Sequence, residues 1–354
     1  MTMKEAIVLP SLEVEILDSQ IPTPGEEEVI VRVVAIGLNP IDWKGADPKV
    51  AIQLHGHLKA KQYANPGKDV AGYVHTVGSK IHEFKPGDRV QSTNHGSGFA
   101  EYSVGPRHTT YILPDSVSFD AAVTFGLSYI TAALNLYREL RLPEPWVPEE
   151  DPTPLVIYGA ASSIGAFAVK LASLSNIHPI YAVAGRGADF VESLLDSSKG
   201  DRVIDYREGP DFVTAEIQRL APKLEYALDA ISTPDTTSVV VKLMDPVKGR
   251  LSMVLPQELP PQVAAGIKTT VSFAPALWEP NDVNSSEVES RELIALKSFA
   301  HVYFRYLSDA LANGIISHHP FEVVDGGFGG ISRALKDLRD GKNSASKYVI
   351  RISE

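Results

Sequence analysis

The first third of the chain alternates short apolar runs with turns rich in glycine and proline. The runs predicted as β-strands are Glu5–Leu9, Glu13–Leu17, Glu28–Ile36, Val70–Val77, Asp88–Gln91, Ala100–Val104 and Tyr111–Leu113. The segments between them include Thr23-Pro24-Gly25, Asn65-Pro66-Gly67 and Lys85-Pro86-Gly87-Asp88. Such sequences form turns. The pattern therefore predicts a β-rich first domain.

After Asp120 the apolar spacing becomes helical, over Ala121–Phe125 and Tyr129–Leu140, and a segment with five prolines, Leu142–Pro154, reads as a surface linker. From Leu155 strands alternate with helices. The predicted strands are Leu155–Tyr158, His178–Val183, Arg202–Ile204, Tyr226–Leu228, Arg250–Val254 and Thr270–Phe273; the predicted helices are Ile164–Ser175, Ala188–Leu195, Asp211–Leu220 and Thr236–Leu243. This alternation predicts a doubly wound α/β domain with a parallel sheet.

The last part of the chain is predicted to contain both helices and strands. A long helix over Ser290–Ala312 is predicted to end before Gly314, a residue type common after a helix C-terminus. A strand at Phe321–Val324, a glycine-rich turn, a helix at Ile331–Arg339 and a strand at Tyr348–Ile352 follow.

Length and charge limit the functions that fit. The chain has 354 residues, and at about 150 residues per domain this suggests about two domains. The net charge of −11 argues against nucleic acid as a partner. Met1–Leu17 is interrupted by charges, and no run of about 18 uncharged apolar residues occurs. We therefore expect a cytoplasmic protein without a membrane segment.

The chain contains no cysteine. This excludes disulfides, thiolate nucleophiles and zinc sites that use cysteine. Two histidine pairs remain, His55 with His57 and His318 with His319, but without carboxylates at ligand spacing they are more typical of surface composition. We expect no metal.

A candidate phosphate-binding turn follows the predicted strand Leu155–Tyr158. In Gly159-Ala160-Ala161-Ser162-Ser163-Ile164-Gly165, small residues replace two glycines of the dinucleotide-binding pattern. The backbone can still approach a pyrophosphate, and the following helix presents free N–H groups. The alternative is an ordinary tight turn whose serines cap the helix.

The next predicted strand favours one cofactor. NAD-binding sites place an acidic residue about 20 residues after the glycine motif, whereas an arginine accommodates the 2′-phosphate of NADP. Here Gly185 and Arg186 occupy that position, and Asp189 reads as a charge in the first turn of the next helix. The sequence therefore predicts NADPH. A surface arginine without a ligand is the alternative.

Several motifs occur in the order found in one enzyme family. They are Gly37–Lys44, Pro66–Gly72 followed by Val77-Gly78, Phe84–Val90, Leu127–Ala132 and Gly341–Val349. Together they resemble the medium-chain dehydrogenase/reductase superfamily, in its zinc-independent branch of quinone oxidoreductases and fungal trans-acting enoyl reductases. The resemblance covers nearly the whole chain.

The resemblance implies an α/β protein of two domains. Residues 1–125 would form a GroES-like β-rich catalytic domain completed by 316–354, and 126–315 a Rossmann NADPH-binding domain with a doubly wound parallel sheet. The nicotinamide would lie in the cleft between them. Zinc-dependent relatives carry a zinc-ligating cysteine at the position of Asn39, so the resemblance also implies chemistry without zinc.

The implied reaction transfers hydride from NADPH to the β-carbon of an enone or a 2-enoyl thioester, after which the enolate is protonated. Expected catalytic residues are Lys44, Asn39, Asp42 and Thr131. Expected cofactor contacts are Lys44, Thr131, Ala161, Ser162, Ser163, Ile164, Gly185, Arg186, Tyr206, Val254, Leu255, Asn343 and Ser344. Lys44 could instead bridge domain surfaces, Thr131 could serve packing, and Tyr206 could be a half-exposed residue at a strand end.

Two other functions stay open at this stage. One is a general quinone or alkenal reductase, and the other is an NADPH-binding partner protein without turnover. An enoyl reductase that acts in trans would dock an acyl carrier protein of a polyketide synthase. The protein could be a monomer or a homodimer.

Overall fold

The computed structural model describes residues 2–46, 65–259, 266–278 and 287–353. Its contacts divide the chain into two compact units. The first comprises Met1–Leu127 and Pro275–Glu354, and the second comprises Ser128–Ala274. We describe each unit separately.

Regular elements are numbered along the chain. The strands are β1 (Thr2–Val8), β2 (Val14–Gln20), β3 (Glu28–Gly37), β4 (Asp69–Val77), β5 (Arg89–Thr93), β6 (Tyr102–Pro106), β7 (Thr110–Ile112), β8 (Leu155–Tyr158), β9 (Ile180–Ala184), β10 (Arg202–Asp205), β11 (Tyr226–Asp229), β12 (Arg250–Met253), β13 (Lys268–Val271), β14 (Phe321–Val323) and β15 (Lys347–Arg351). The helices are α1 (Pro40–Lys44), α2 (Phe119–Ala122), α3 (Gly126–Ala133), α4 (Ser163–Leu174), α5 (Ala188–Glu192), α6 (Pro210–Leu220), α7 (Pro234–Leu243), α8 (Glu287–Ala312) and α9 (Gly330–Arg339).

The first unit is built on a seven-stranded sheet with the order β14-β15-β3-β4-β5-β7, and β6 also pairs with β3. The C-terminal strand β15 pairs antiparallel with β3, so the end of the chain completes the sheet of the N-terminal region. Among the described strands of this sheet, β14 and β15 pair in parallel and the other pairs are antiparallel. Apolar side chains from β3, β4, β15 and α9 form one buried core, which includes Val33, Val70, Leu335 and Ile350.

The register of this sheet brings four chain positions to one end. Gly37, the last residue of β3, pairs with Asp69, the first residue of β4. Asp69 pairs on its other side with Thr93, the last residue of β5. Gly37 is also the partner of Val349, two residues into β15. Residues distant in sequence therefore meet where these strands end.

The second unit is a six-stranded parallel sheet with the order β10-β9-β8-β11-β12-β13. The central strands β8 and β9 are buried along their whole length, and their continuous apolar runs are typical of a parallel sheet covered on both faces. This strand order is that of a dinucleotide-binding fold, with its switch point between β8 and β11. The predicted α/β fold class is confirmed.

The structure differs from the sequence interpretation in two places. The segment 275–315 was expected in the Rossmann domain, but it belongs to the first unit, where α8 packs against β7 and the residues before it. Amphipathic spacing predicts a helix but does not say which core it covers. The predicted helix Tyr129–Leu140 is α3 followed by a π-helical stretch, Leu134–Glu139.

One helical stretch in the described part of the chain, Phe119–Glu139, is apolar and long enough to cross a membrane. Its apolar window is 94% buried inside the protein, which is the property of a core helix.

Candidate active site

The turn between β8 and α4 depends on two glycines. Gly159 has a φ of +79°, which favours glycine, and a Cβ atom there would lie 2.5 Å from the side chain of Ile231. A Cβ atom on Gly165 would lie 2.3 Å from the carbonyl oxygen of Gly159. The helix therefore starts in close contact with the strand end, as a pyrophosphate-binding turn requires.

Serine residues shape the start of α4. Ser162 is the N-cap residue, and its hydroxyl oxygen accepts a hydrogen bond from the N–H of Gly165 at 3.0 Å. The N–H groups of Ser163 and Ile164, at the first two helical positions, have no acceptor within a helix by geometry. Ala161, Ser162, Ser163 and Ile164 are all partly exposed. The turn thus fits both the capping role and the predicted phosphate contacts.

The carboxyl end of β9 presents a basic residue next to an aromatic ring. Gly185 is buried, and a Cβ atom there would lie 2.5 Å from the ring of Tyr206. Tyr206 follows β10 and is 44% exposed, and Arg186 is exposed. Arg207 next to Tyr206 pairs with Asp205, with N–O distances from 2.5 to 3.0 Å. The Asp205 carboxylate at this end of the sheet is therefore paired with the guanidinium of Arg207.

A buried carboxylate organises the loop after β11. Asp229 is fully buried and accepts hydrogen bonds from the N–H groups of Ile231 and Ser232 and from the hydroxyls of Thr236 and Thr237. This fixes Ile231 over Gly159 on the other side of the switch point.

The same loop reaches the end of β12. The Ser232 hydroxyl oxygen accepts the N–H of Val254 at 3.0 Å. The predicted cofactor neighbours Val254 and Leu255 are partly buried there. Sequence analysis missed Asp229, although an acidic residue at the end of a predicted buried strand was an available signal.

Thr131 lies on α3 and is 6% exposed. Its carbonyl oxygen accepts a hydrogen bond from Nδ2 of Asn135 at 2.7 Å, and Oδ1 of Asn135 accepts one from the hydroxyl of Ser252 on β12 at 2.7 Å. These bonds tie the π-helical stretch to the sheet. π-Helical turns often mark functional sites.

In the first unit, the polar residues at the shared strand end form a buried network around Asp69. The Asp69 carboxylate accepts four hydrogen bonds, from Thr93 Oγ1 (2.9 Å), the N–H of Leu127 (2.9 Å), Asn39 Nδ2 (2.9 Å) and Lys347 Nζ (2.7 Å). Lys347 also donates to Asn39 Oδ1 at 3.0 Å. The ammonium and the carboxylate are almost fully buried, so their charges are compensated inside the protein.

The network fixes the start of α1. Asn39 is its N-cap, and the N–H of Asn39 donates to Asp42 Oδ2 at 2.7 Å. Asp42 is fully buried, and within the described residues its Oδ1 has no hydrogen-bond partner. Burial is the largest influence on the Asp42 carboxyl and raises its pKa to about 7, while the ammonium of Lys68 acts in the opposite direction. Through these contacts Asn39 and Asp42 shape the loop that leads into α1.

Lys44 is the last residue of α1, and its Nζ lies 5.8 Å from the centre of the Trp43 ring. Partial burial lowers the pKa of its ammonium. A lysine with a lowered pKa exchanges a proton more readily near neutral pH.

The remaining predicted residues lie elsewhere on the first unit. Asn343 donates a hydrogen bond to the carbonyl oxygen of Ser346 at 3.0 Å, and Ser344 is exposed. His318 and His319 lie before β14, whereas His55 and His57 lie outside the described residues. Among the described residues no three metal-binding side chains converge.

The second unit thus carries the features of a dinucleotide site, and the first carries a buried charged network beside the helix of Lys44. Comparison with known proteins agrees with the features of each unit. The family description "Alcohol dehydrogenase GroES-like domain" matches residues 25–115. The fold and the two sets of residues define a medium-chain dehydrogenase/reductase, an oxidoreductase that uses a nicotinamide cofactor.

Two curated relatives identify the family within this superfamily. The chain is 36% identical over 337 residues to the trans-enoyl reductase fsr4 of Gibberella fujikuroi, covering 93% of each protein. It is 27% identical over 352 residues to the trans-enoyl reductase RAP2 of Pyricularia oryzae, covering 95% of this chain and 94% of the relative. The chain belongs to the trans-enoyl reductase family.

Solved structures agree at the level of the fold. The CurK enoyl reductase superimposes with a TM-score of 0.77 at 19% identity, with 99% of each chain covered. A Pseudomonas syringae quinone oxidoreductase superimposes with a TM-score of 0.76 at 20% identity, covering 99% of this chain and all of the other. The predicted superfamily and branch are confirmed.

Proposed function

We propose that this protein uses NADPH to reduce the double bond of an α,β-unsaturated carbonyl compound, with a 2-enoyl thioester as the substrate. The assignment to a trans-enoyl reductase family supports an enoyl substrate. The preference for NADPH rests on the carboxyl end of β9, where Arg186 stands in place of an acidic residue.

The second unit would hold the cofactor through backbone and side-chain groups. The N–H groups of Ser163 and Ile164 would bind the pyrophosphate, because the start of a helix attracts anions. Arg186 would bind the 2′-phosphate, with the Tyr206 ring beside it. Val254, Leu255 and Thr131 are proposed as further contacts.

The bound cofactor supplies the hydride. As the hydride adds to the β-carbon, the π electrons of the double bond move toward the carbonyl and form an enolate. The protein must then stabilise negative charge on the enolate oxygen and deliver a proton to the α-carbon.

Lys44 is proposed to relay this proton. Its lowered pKa suits proton exchange, and the Asn39 cap and the Asp69 network hold its short helix in place. Asn343 and Ser344 are proposed to lie near the nicotinamide, as the family resemblance implies. We further propose that the substrate arrives on an acyl carrier protein and that the enzyme acts in the cytoplasm.

The cofactor assignment is tested by measuring NADPH and NADH binding to the wild type and to Arg186→Ala. Loss of a charge-assisted contact is expected to weaken NADPH binding by about 10-fold to 100-fold and to leave NADH binding unchanged. Arg202→Ala is the matched control, because Arg202 is an exposed arginine at the opposite end of the same sheet. Equal loss for both nucleotides, or tighter binding of NADH by the wild type, contradicts the assignment.

The substrate assignment is tested with the wild type on a panel of 2-enoyl thioesters, enones and small quinones. We expect the highest kcat/KM for the thioesters. Faster turnover of quinones would favour the alternative of a general quinone reductase. NADPH binding without oxidation on any member of the panel would favour a non-catalytic protein.

A further inference from the structure

A second lysine near the Asn39 cap has an unusual environment. Lys68 is 5% exposed, and its Nζ donates a hydrogen bond to the carbonyl oxygen of His95 at 2.8 Å. Within the described ranges this is its one acceptor. An ammonium group has three N–H donors, so two of them have no acceptor among the described residues. Burying an ammonium with unused donors is costly unless another group binds them.

Two acidic side chains, Asp42 and Asp69, lie near this ammonium without occupying its donors. Burial lowers the pKa of Lys68, while the nearby charges of Asp42 and Asp69 raise it. All four hydrogen bonds to the Asp69 carboxylate come from other groups, and Asp42 Oδ1 has no partner among the described residues. The two acids therefore oppose only part of the effect of burial, and among the described residues neither accepts a hydrogen bond from Lys68.

The backbone holds Lys68 in a fixed position. Its carbonyl oxygen accepts the N–H of Asn94 at 3.0 Å, and the carbonyl oxygen of Gly67 accepts the N–H of Gly98 at 2.9 Å. A Cβ atom on Gly67 would lie 2.2 Å from the Phe99 ring, so the two segments pack with little free space. Lys68 also directly precedes Asp69, at the strand end where Asn39 begins α1. A preorganised cation therefore lies beside the helix that carries Lys44.

We propose that Lys68 is a catalytic residue whose ammonium donates a hydrogen bond to the carbonyl oxygen of the enoyl substrate and stabilises the enolate. This inference rests on the proposed function. In the step, the β-carbon gains a C–H bond by hydride transfer, the double-bond electrons move to the carbonyl oxygen, and the α-carbon later gains a proton. Lys68 forms and breaks no covalent bond, and Lys44 remains the proposed proton relay.

The test uses two variants. One is Lys68→Met, and the other combines Asp42→Asn and Lys68→Met. The double variant removes the neighbouring buried acid together with the ammonium, so that Asp42 is not left buried without Lys68 if the single variant folds poorly. Lys170→Met is the matched control, because Lys170 is a buried lysine (9% exposed) in the second unit. Thermal unfolding and NADPH affinity are measured for every variant.

The kinetic readout uses NADPH and the N-acetylcysteamine thioester of crotonic acid. Loss of a donor to a developing oxyanion lowers kcat by about 100-fold to 1,000-fold. We expect this loss in both Lys68 variants, with NADPH affinity unchanged, and wild-type kcat in Lys170→Met. Lys68→Arg, which keeps a cationic donor, is expected to recover part of the lost kcat.

A spectroscopic readout separates contact with substrate from a structural role. The thioester labelled with ¹³C at the carbonyl is bound together with NADP⁺, and its infrared band is recorded. Hydrogen bonding to Lys68 is expected to move the band to lower wavenumber in the wild type and in Lys170→Met, but not in either Lys68→Met variant. The same shift in all variants, or wild-type kcat in a folded Lys68→Met variant, overturns the proposal.

If the proposed function itself is wrong, the result differs from that expected when only the Lys68 proposal is wrong. In that case the wild type itself does not oxidise NADPH with the thioester. Failure of the Lys68 proposal alone leaves that activity intact in the wild type and in the Lys68 variants.

Discussion

Asp42 and Asp69 are both fully buried carboxyl groups, but they differ in the number of hydrogen bonds that they accept. Asp69 accepts four hydrogen bonds, one of which comes from the ammonium of Lys347. Asp42 accepts one hydrogen bond from the N–H of Asn39, and burial raises its pKa to about 7. The same residue type therefore accepts hydrogen bonds from several elements at one position and has a pKa near neutral pH at the other.

The raised pKa of Asp42 predicts a loss of stability with rising pH. The folded protein keeps a proton on Asp42 up to about pH 7, whereas the unfolded chain loses it near 3.8. The folded state thus binds more protons in this window, so the contribution of Asp42 to the free energy of unfolding decreases as the pH rises. Lys68, Asp69 and Lys347 are the charged groups that act on it.

Asp42→Asn removes this titration. Between pH 4 and 7, the wild type is expected to lose about 2 to 4 kcal/mol relative to the variant, as measured by urea unfolding across that range. Asp115→Asn, at a fully exposed side chain, is the control and should follow the wild type. Parallel pH profiles for the wild type and Asp42→Asn would show that Asp42 does not titrate in this window.

At this scale, sequence reasoning found the residues that short-range spacing defines. Arg186 follows from counting along a βαβ unit, and Asn39, Asp42 and Lys44 belong to one local motif. Lys347 could not be found in that way, because 278 residues separate it from Asp69 and only the pairing of β15 with β3 brings them together. Lys68 was visible within a motif, but its burial was not, nor was the fact that it has a single acceptor among the described residues.

Among the elements, the connection into α3 is tightly packed. Gly126 begins this helix with a φ of +29°, and a Cβ atom there would lie 2.0 Å from Asp69 Oδ1 and 2.6 Å from Thr93 Oγ1. The absence of a side chain allows the next N–H, that of Leu127, to bind Asp69. The start of α3 and the polar network therefore depend on each other.

Gly126→Ala is expected to lower the free energy of unfolding by about 3 kcal/mol, since the new methyl group must displace the Asp69 carboxylate. Gly314→Ala provides the control. Gly314 has a φ of +66° with nothing within 4 Å of a built Cβ atom, so its substitution should cost about 1 kcal/mol through backbone strain alone. Chemical unfolding measures both, and equal losses would contradict the role assigned to Gly126.

Element types were predictable where the apolar pattern was long and regular, as in the parallel strands of the second unit. The π-helical stretch Leu134–Glu139 was not, because Asn135 stabilises it through a bond to Ser252, 117 positions away. A helical apolar spacing contains no sign of such a contact.

For the whole molecule, the order of motifs predicted a GroES-like part completed by the C-terminus and a Rossmann part between. The structure contains both sheets, and membership of the trans-enoyl reductase family adds the class of enzyme. The unit to which α8 belongs was not predictable, because α8 contacts β7 across nearly 200 residues of sequence. One example is the hydrogen bond from Arg305 to the carbonyl oxygen of Thr110. The chemistry proposed for this enzyme is reduction of a carbon–carbon double bond by hydride transfer.

The most direct test of that chemistry follows the transferred hydrogen. Wild-type protein is incubated with a 2-enoyl thioester and NADPH deuterated at C4, each C4 epimer in turn, and the product is analysed by mass spectrometry and NMR. We expect a saturated thioester with one deuterium on the β-carbon from one epimer, and a solvent-derived hydrogen on the α-carbon. Deuterium at the carbonyl carbon, or an unchanged double bond while NADPH is consumed, would contradict it.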